Sequence, residues 1–168
     1  TFFSSQLHNR FNWDIKMTIF NSILGMYDIE YKVSFSNQLS DADIKDLRFN
    51  NSLISFVNGD DLIFGHSNDF KFRIAEMHSR TLFKKKFDGI VGVLIFSDIE
   101  ICNKEFERIS SVKNAEVDVV HNKNKIYLMK RGRKEHFEFK FKGSELNKEK
   151  LISDYNDFKM LADSMFRR

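Results

Sequence analysis

The stretch Gly59–Phe96, GDDLIFGHSNDFKFRIAEMHSRTLFKKKFDGIVGVLIF, carries the strongest strand pattern in the chain. Apolar and polar residues alternate through its middle, and its final part is apolar in almost every position. Alternation is typical of a strand with one buried face, and a continuous apolar run is typical of a strand covered on both sides. We therefore predict three consecutive central strands, 61–66, 70–81 and 87–96. Gly89 and Gly92 in the last of them predict the close approach of a helix or a neighbouring backbone.

The same periodicities predict the elements on either side of this stretch. The predicted helices cover 4–24, a short segment capped by Ser40, a turn at 105–112 and a C-terminal segment capped by Ser144. The predicted strands cover 28–36, 116–121, 125–131 and 134–142. Residues 52–57 fit a strand or a loop equally well. The C-terminal helix has the clearest pattern, because five apolar residues repeat along one face: Leu151, Tyr155, Phe158, Ala162 and Met165.

The order of these elements predicts an α+β fold. Strands do not alternate with crossover helices, which argues against a parallel nucleotide-binding sheet. We predict a bent, mostly antiparallel sheet of about six or seven strands with N-terminal and C-terminal helices, and a pleckstrin-homology-like arrangement is the preferred version. The expected organisation is an N-terminal helix over 1–27 and a single α+β domain over 28–168. The N-terminal helix is interpreted as a packing helix or, alternatively, as the continuation of an upstream membrane segment.

The composition limits the classes of function. A chain of 168 residues with 42% hydrophobic residues can bury the core of one domain. The net charge of +3 is too balanced to argue for nucleic acid. The single cysteine, Cys102, excludes an intrachain disulfide and zinc sites built from several cysteines. The sequence carries no phosphate-binding glycine loop, and the uncharged stretch 17–27 is too short to span a bilayer. We predict no catalytic residue, no cofactor and no metal.

Four short motifs in the central stretch stand in a recognisable order: Asp60–Ile63 with Gly65, Phe70–Phe72, Ala75–His78 and Phe87–Gly89. This order resembles the patterns G-x-D-L-I-x-G, F-x-F-S-E-x-H and F-x-G-x-F of an uncharacterised bacterial family, the domain of unknown function 3137. Ala75 departs from that pattern, which has serine before the glutamate. The resemblance implies a domain on the cytoplasmic side of hydrophobic N-terminal segments, often beside LemA-type membrane proteins. It implies no activity and supplies no catalytic residue.

Glu76 and His78 are the strongest polar pair. On a regular strand both side chains point into the core, where an unpaired polar group costs several kcal/mol. Three interpretations stay open: a β-bulge near 74–75 or a polar rim that turns them outward, a buried hydrogen-bonded pair, or a metal or acid–base site. A third ligand for such a site would come from Asp61, His66 or His136. The ligand-binding candidates are Asp61, His66, Glu76 and His78.

Basic residues cluster at two predicted turns. The first cluster is Arg80, Lys84, Lys85 and Lys86, and the second is Lys130, Arg131, Arg133 and Lys134. If both lie at one end of the sheet, they form a surface for anionic lipid or phosphate. The alternative interpretations are two solvated hairpin turns or a nucleic-acid surface.

These observations favour a non-enzymatic, membrane-associated bacterial domain that acts through contacts with protein or anionic lipid. We expect it in the cytoplasm, tethered to the inner membrane by an upstream segment. The expected partner is a membrane surface or a membrane protein, and not nucleic acid. The alternative function is a metal-dependent enzyme or small-ligand binder centred on Glu76 and His78. The sequence gives no oligomeric state.

Overall fold

The computed structural model describes residues 2–34, 39–47, 54–58, 61–81, 86–112, 116–132 and 147–167, with the backbone alone at 2–9, 54–58, 79–81 and 86–87. The helices in these ranges are α1 Phe2–Leu24, α2 Asp41–Asp46, α3 Ile99–Ser111 and α4 Lys148–Phe166. The strands are β1 Glu30–Ser34, β2 Ile54–Asn58, β3 Leu62–His66, β4 Phe70–Thr81, β5 Lys86–Phe96, β6 Val117–Asn122 and β7 Lys125–Arg131. The predicted α+β class is confirmed.

The strands form one antiparallel sheet. Its order is β1-β3-β4-β5-β7-β6, and β2 pairs with the last part of β4, beyond the end of β3. The sheet is open over the part of the chain that the structure describes. Closure into a pleckstrin-homology-like arrangement stays a prediction, because the strand predicted at 134–142 lies outside the described residues. The undecided segment 52–57 contributes β2.

The central strands bury both faces. On β5, Ile90 and Leu94 belong to the core that includes α1, α3 and α4, whereas Val91 and Val93 belong to a second core on the α2 side. The same alternation runs through β4 and β7, because successive side chains of a strand point to opposite faces. The prediction that β5 is covered on both sides is confirmed.

Gly92 marks the place where α4 crosses β5. A Cβ atom added to Gly92 would lie 2.4 Å from Met165 Sδ. The Met165 side chain is fully buried, so it has little room to move away. The predicted close approach at Gly92 is therefore present, and the missing side chain lets the C-terminal helix lie flat on the sheet.

Helix α2 is held to the opposite face by a buried polar network. Asp43, which is fully buried, accepts hydrogen bonds from Lys125 Nζ at 2.9 Å and from Arg73. Burial alone would raise the pKa of Asp43, but the hydrogen bond from Lys125, that from Ser40 and the Arg73 charge hold it below the usual value. Asp46 extends the network by accepting a hydrogen bond from Tyr127 Oη at 2.7 Å. A helix of six residues is thus fixed by charge as well as by apolar contact.

Helices α3 and α4 begin at other residues than predicted. Helix α3 begins at Ile99 and not at 105, because the Asp98 side chain caps it by accepting hydrogen bonds from the backbone N–H groups of Glu100 and Ile101. The N-cap of α4 is Asn147 and not Ser144, since the Asn147 side chain accepts from the Lys150 N–H. The Ser40 cap of α2 is as predicted. None of the helices described is long and apolar enough to cross a membrane.

Substitution of Gly92 tests the helix–sheet contact. The Gly92→Ala variant is expected to lose roughly 1–3 kcal/mol of unfolding free energy, because the added methyl group collides with Met165. Urea unfolding followed by circular dichroism measures the loss. The double variant with Met165→Ala is the control: it should lose less than the sum of the two single changes. Strict additivity would show that the two side chains do not compete for the same space.

Substitution of Asp43 tests the network under α2. Removal of this carboxylate leaves Arg73 and Lys125 without their buried acceptor, so Asp43→Ala is expected to cost about 3 kcal/mol in urea unfolding. Asp41→Ala is the matched control, because Asp41 is an exposed carboxylate in the same helix. A surface change of this kind usually alters stability by under about 0.5 kcal/mol. Equal losses in the two variants would contradict a structural role for the network.

Candidate functional site

Glu76, His78 and Asp88 form a polar cluster where β4 and β5 leave the core. His78 Nε2 lies 3.0 Å from Glu76 Oε1, and His78 Nδ1 lies 2.9 Å from Asp88 Oδ1. The β4–β5 register pairs His78 with Asp88 directly, which brings the second carboxylate to the ring. The exposed fractions of the side chains are 5% for Glu76, 22% for His78 and 15% for Asp88. One imidazole therefore lies between two largely buried carboxylates.

The predicted β-bulge is wrong. The β4–β5 pairing continues without a shift from Phe70 opposite Phe96 to Arg80 opposite Lys86. Glu76 consequently keeps the phase of the strand and points into the molecule. The pairing with His78 and Asp88 replaces the hydrogen bonds to water that burial removes, so no bulge is needed to expose these groups.

The charge distribution favours the protonated ring. The hydrogen bond to Glu76 raises the pKa of His78, burial opposes that effect, and the hydrogen bond to Asp88 raises the pKa further, so that it lies above its ordinary value. A protonated imidazole donates from both nitrogens, which matches an acceptor at each one. Two carboxylate acceptors, one at each ring nitrogen, thus stabilise the protonated form of His78.

The other predicted ligands do not join this cluster. Asp61 is buried at the start of β3, with a left-handed backbone (φ 59°), and forms an ion pair with Lys16 of α1. His66 lies toward the other end of the sheet, exposed, with its Nε2 3.4 Å from a carboxylate oxygen of Glu30. His136 lies outside the described residues. Among the residues that the structure describes, no group of three His, Cys, Asp or Glu side chains is arranged to hold a metal ion.

The two basic segments meet at one end of the sheet, which we call the basic end and define by Thr81, Lys86, Arg131 and Gly132. Gly89 of β5 pairs with Arg131 of β7, and the Gly132 N–H donates to the Asp88 carbonyl at 2.9 Å. The β4–β5 hairpin reaches the same end, where Arg80 is paired with Lys86. The side chains of Arg80 and Lys86, and residues 84, 85, 133 and 134, lie outside the described part.

Lys130 does not belong to an exposed basic surface. It is buried, and its Nζ lies 2.7 Å from Glu116 Oε2 and 3.3 Å from Asp157 Oδ1. These contacts tie β7 to β6 and to α4, so the role of Lys130 is structural. Arg131 is exposed, and its Nε lies 3.6 Å from Asp118 Oδ2. The sequence alone could not show that Lys130 is buried and Arg131 is exposed. Both residues are basic, and neighbouring residues of a strand point to opposite faces.

A cysteine–histidine contact was not expected from the sequence. Cys102 Sγ of α3 lies 3.6 Å from His121 Nε2 of β6. The thiol is fully buried, and burial, together with the charge of Glu105, raises the pKa of Cys102. His121 Nε2 also lies 2.7 Å from the Lys123 carbonyl, an acceptor that calls for a proton on that nitrogen. The pair therefore lacks both the thiolate and the free base that a nucleophile requires.

A cleft of about 600 Å³ opens between the C-terminal ends of α1 and α4 and the β3–β4 turn. Its lining includes Tyr27, Asp163, Lys159, Arg167 and Phe70. Asp163 accepts hydrogen bonds at 2.7 Å from both Tyr27 Oη and Lys159 Nζ. Burial first, and then the hydrogen bond to Asp163, raise the pKa of Tyr27, which keeps the phenol protonated. The charges of the lining are thus matched to one another and favour no particular class of ligand.

Comparison with known proteins gives no relative. No protein-family description, no curated protein and no solved structure matches this chain. The resemblance to the domain of unknown function 3137 therefore stays a prediction.

The His78 cluster makes stability depend on pH. The pKa of His78 in the folded chain lies above the ordinary 6.5, so its stabilising contribution is complete below about pH 6.5 and is lost as the pH rises through the folded value. Urea unfolding of the wild type and of His78→Gln from about pH 6 to about pH 9 measures this contribution. The wild type should hold its largest advantage at the acidic end.

Asp88→Asn provides the matched comparison, because it removes one carboxylate and leaves the pairing with Glu76. The stability advantage of Asp88→Asn over His78→Gln should be smaller than that of the wild type. As the pH rises, this advantage should also disappear at a lower pH than the wild-type advantage does. A stability difference between wild type and His78→Gln that stays constant across the range would contradict the stabilisation of protonated His78 by the two carboxylates.

Proposed function

We propose that this chain is a non-enzymatic domain that docks on an anionic membrane surface through the basic end of its sheet. The proposed site of action is the cytoplasmic face of the inner membrane, with an upstream segment as the tether. The observation that carries the proposal is the convergence of the two basic segments. Their strands are joined at this end by the pairing of Gly89 with Arg131 and by the hydrogen bond between Gly132 and Asp88.

Chain connectivity keeps the remaining basic residues near this end. Residues 82–85 join the end of β4 to the start of β5, and residues 133–134 follow Gly132 directly. Consecutive Cα atoms are only about 3.8 Å apart, so such short stretches stay close to the strands that they extend. The sequence has six further basic residues in or directly beside these two segments: Arg80, Lys84, Lys85, Lys86, Arg133 and Lys134.

Two acidic groups described at this end are in contact with permanent cations, and two others, Glu76 and Asp88, contact His78. Glu116 pairs with Lys130, and Asp118 lies beside Arg131. These pairs are close to neutral, so the six further basic residues are expected to set the sign of the local potential. Each basic residue near an anionic membrane contributes about 1 kcal/mol of attraction at low salt. Several together are enough for reversible docking, which suits a domain that a tether already holds nearby.

The alternative of a metal-dependent enzyme or ligand binder at Glu76 and His78 receives less support. Both ring nitrogens of His78 are engaged by carboxylates, so neither offers a lone pair to a metal or a substrate proton. Asp61 is bound to Lys16, and His66 lies toward the far end of β3. The cluster is satisfied by its own members.

Cosedimentation with lipid vesicles tests the proposed function. The chain is mixed with vesicles of phosphatidylglycerol and phosphatidylcholine, and in parallel with phosphatidylcholine alone, at about 50 mM and about 500 mM salt. Binding is expected only to the anionic vesicles and only at low salt, because salt screens attraction between exposed charges.

A triple variant locates the contact. Lys84→Gln, Lys85→Gln and Arg133→Gln together should weaken binding on the order of 100-fold, at about 1 kcal/mol per charge. The matched control is Lys71→Gln, Lys104→Gln and Lys123→Gln, three exposed lysines toward the opposite end of the sheet. It removes the same charge and should retain nearly all binding. Equal losses of vesicle binding in both triple variants would show that binding depends on net charge alone and not on the basic end. Absence of binding at low salt would refute the proposed function.

A further inference from the structure

Helices α1 and α4 lie side by side and run in the same direction. The ring of Phe20 lies 5.1 Å from that of Phe158. Further along both segments, the ring of Tyr27, three residues after the end of α1, lies 5.3 Å from that of Phe166. Lys16, one turn beyond Trp13, forms an ion pair with Asp61, which the β3–β4 register sets near the level of Glu76, so Trp13 lies on the basic-end side of that ion pair.

The first turn of α4 lies toward the basic end. Asp157 contacts Lys130, which is paired with Ile90 on β5. From Asp157 back to Lys148 the helix advances about 14 Å at about 1.5 Å per residue. From Ile90 back to Lys86 the strand advances about 13 Å at about 3.3 Å per residue. The start of α4 therefore lies beyond the contact between Asp157 and Lys130, in the direction of the basic end.

Two aromatic side chains of the N-terminal half of α1 are partly exposed. Phe11 is 40% exposed and Trp13 is 50% exposed, whereas Phe20 and Leu24 in the second half of the helix are buried. Between the exposed and the buried half of α1, Lys16 forms an ion pair with Asp61, the residue before β3. Two large aromatic side chains, Phe11 and Trp13, are thus partly exposed on the half of α1 that is nearer the basic end.

We propose that the N-terminal half of α1 is the apolar part of the membrane contact, with Trp13 and Phe11 entering the boundary between headgroups and acyl chains of an anionic bilayer. The inference rests on the proposed function, because the basic end supplies the attraction that brings the helix to the surface. Tryptophan suits this boundary, since its ring is apolar and its N–H still finds a hydrogen-bond partner.

The chain contains its own probe, because Trp13 is its only tryptophan. We expect its fluorescence to shift to shorter wavelength when phosphatidylglycerol vesicles are added at low salt. Vesicles containing phosphatidylcholine with brominated acyl chains should quench the emission. Acrylamide in the aqueous phase should quench it less when vesicles are present than when they are absent. The wild-type chain serves throughout, so the result does not depend on a variant that folds.

Phe11→Ser gives the energetic counterpart and leaves the probe in place. Loss of one aromatic side chain from the bilayer boundary should weaken vesicle binding about tenfold. Phe64→Ser is the matched control, because Phe64 has the same side chain and is 38% exposed but lies on β3, paired with Arg73 in the sheet. That variant should bind vesicles as the wild type does once circular dichroism has verified its fold.

The outcomes separate this inference from the proposed function. Cosedimentation together with quenching by brominated lipid supports both. Cosedimentation without a spectral shift or quenching leaves charge-driven docking in place and overturns the role of α1. Absence of cosedimentation refutes the proposed function, and the inference about α1 fails with it.

Discussion

Strand β5 is buried on both faces, and the rest of the fold depends on that constraint. A strand of this kind is stable only inside a sheet, so β4 and β7 must pair with its two edges. Both faces of that sheet then need cover. Helices α1, α3 and α4 cover one face with a large apolar core, and the short helix α2 with its flanking leucines covers part of the other.

Two buried carboxylates, Asp43 and Glu76, are stabilised in different ways. Under α2, Asp43 lies against Arg73 and Lys125, whose charges are permanent at physiological pH. On the other face, Glu76 lies against His78, whose charge requires a bound proton. A buried carboxylate without a cation would strongly lower the free energy of unfolding. Arg73 and Lys125, which are always charged, hold the small helix α2, which has little apolar area of its own. His78, whose charge depends on the pH, lies at the end of the sheet.

Much of the fold follows from the sequence because its signals are local. The alternation that begins at Phe70, the apolar run ending at Phe96 and the Ser40 cap each predict an element that is present. The start of α3 was missed because Asp98 lies in a polar stretch, where a cap is one interpretation among several. The partners of Glu76 could not be predicted, since Asp88 reaches His78 only through a register that pairs distant residues. Burial of Lys130 depends likewise on Asp157, far along the chain.

The parallel orientation of α1 and α4 has an electrostatic consequence of its own. Each helix carries a macrodipole equivalent to about half a positive charge at its N-terminus. Antiparallel neighbours would cancel these dipoles, whereas α1 and α4 direct both positive poles toward the same end of the molecule. The field there is thus built partly from peptide groups, which neither titrate nor change when a side chain is replaced. The positive poles of α1 and α4 therefore add to the positive potential that the basic residues of this end are proposed to supply.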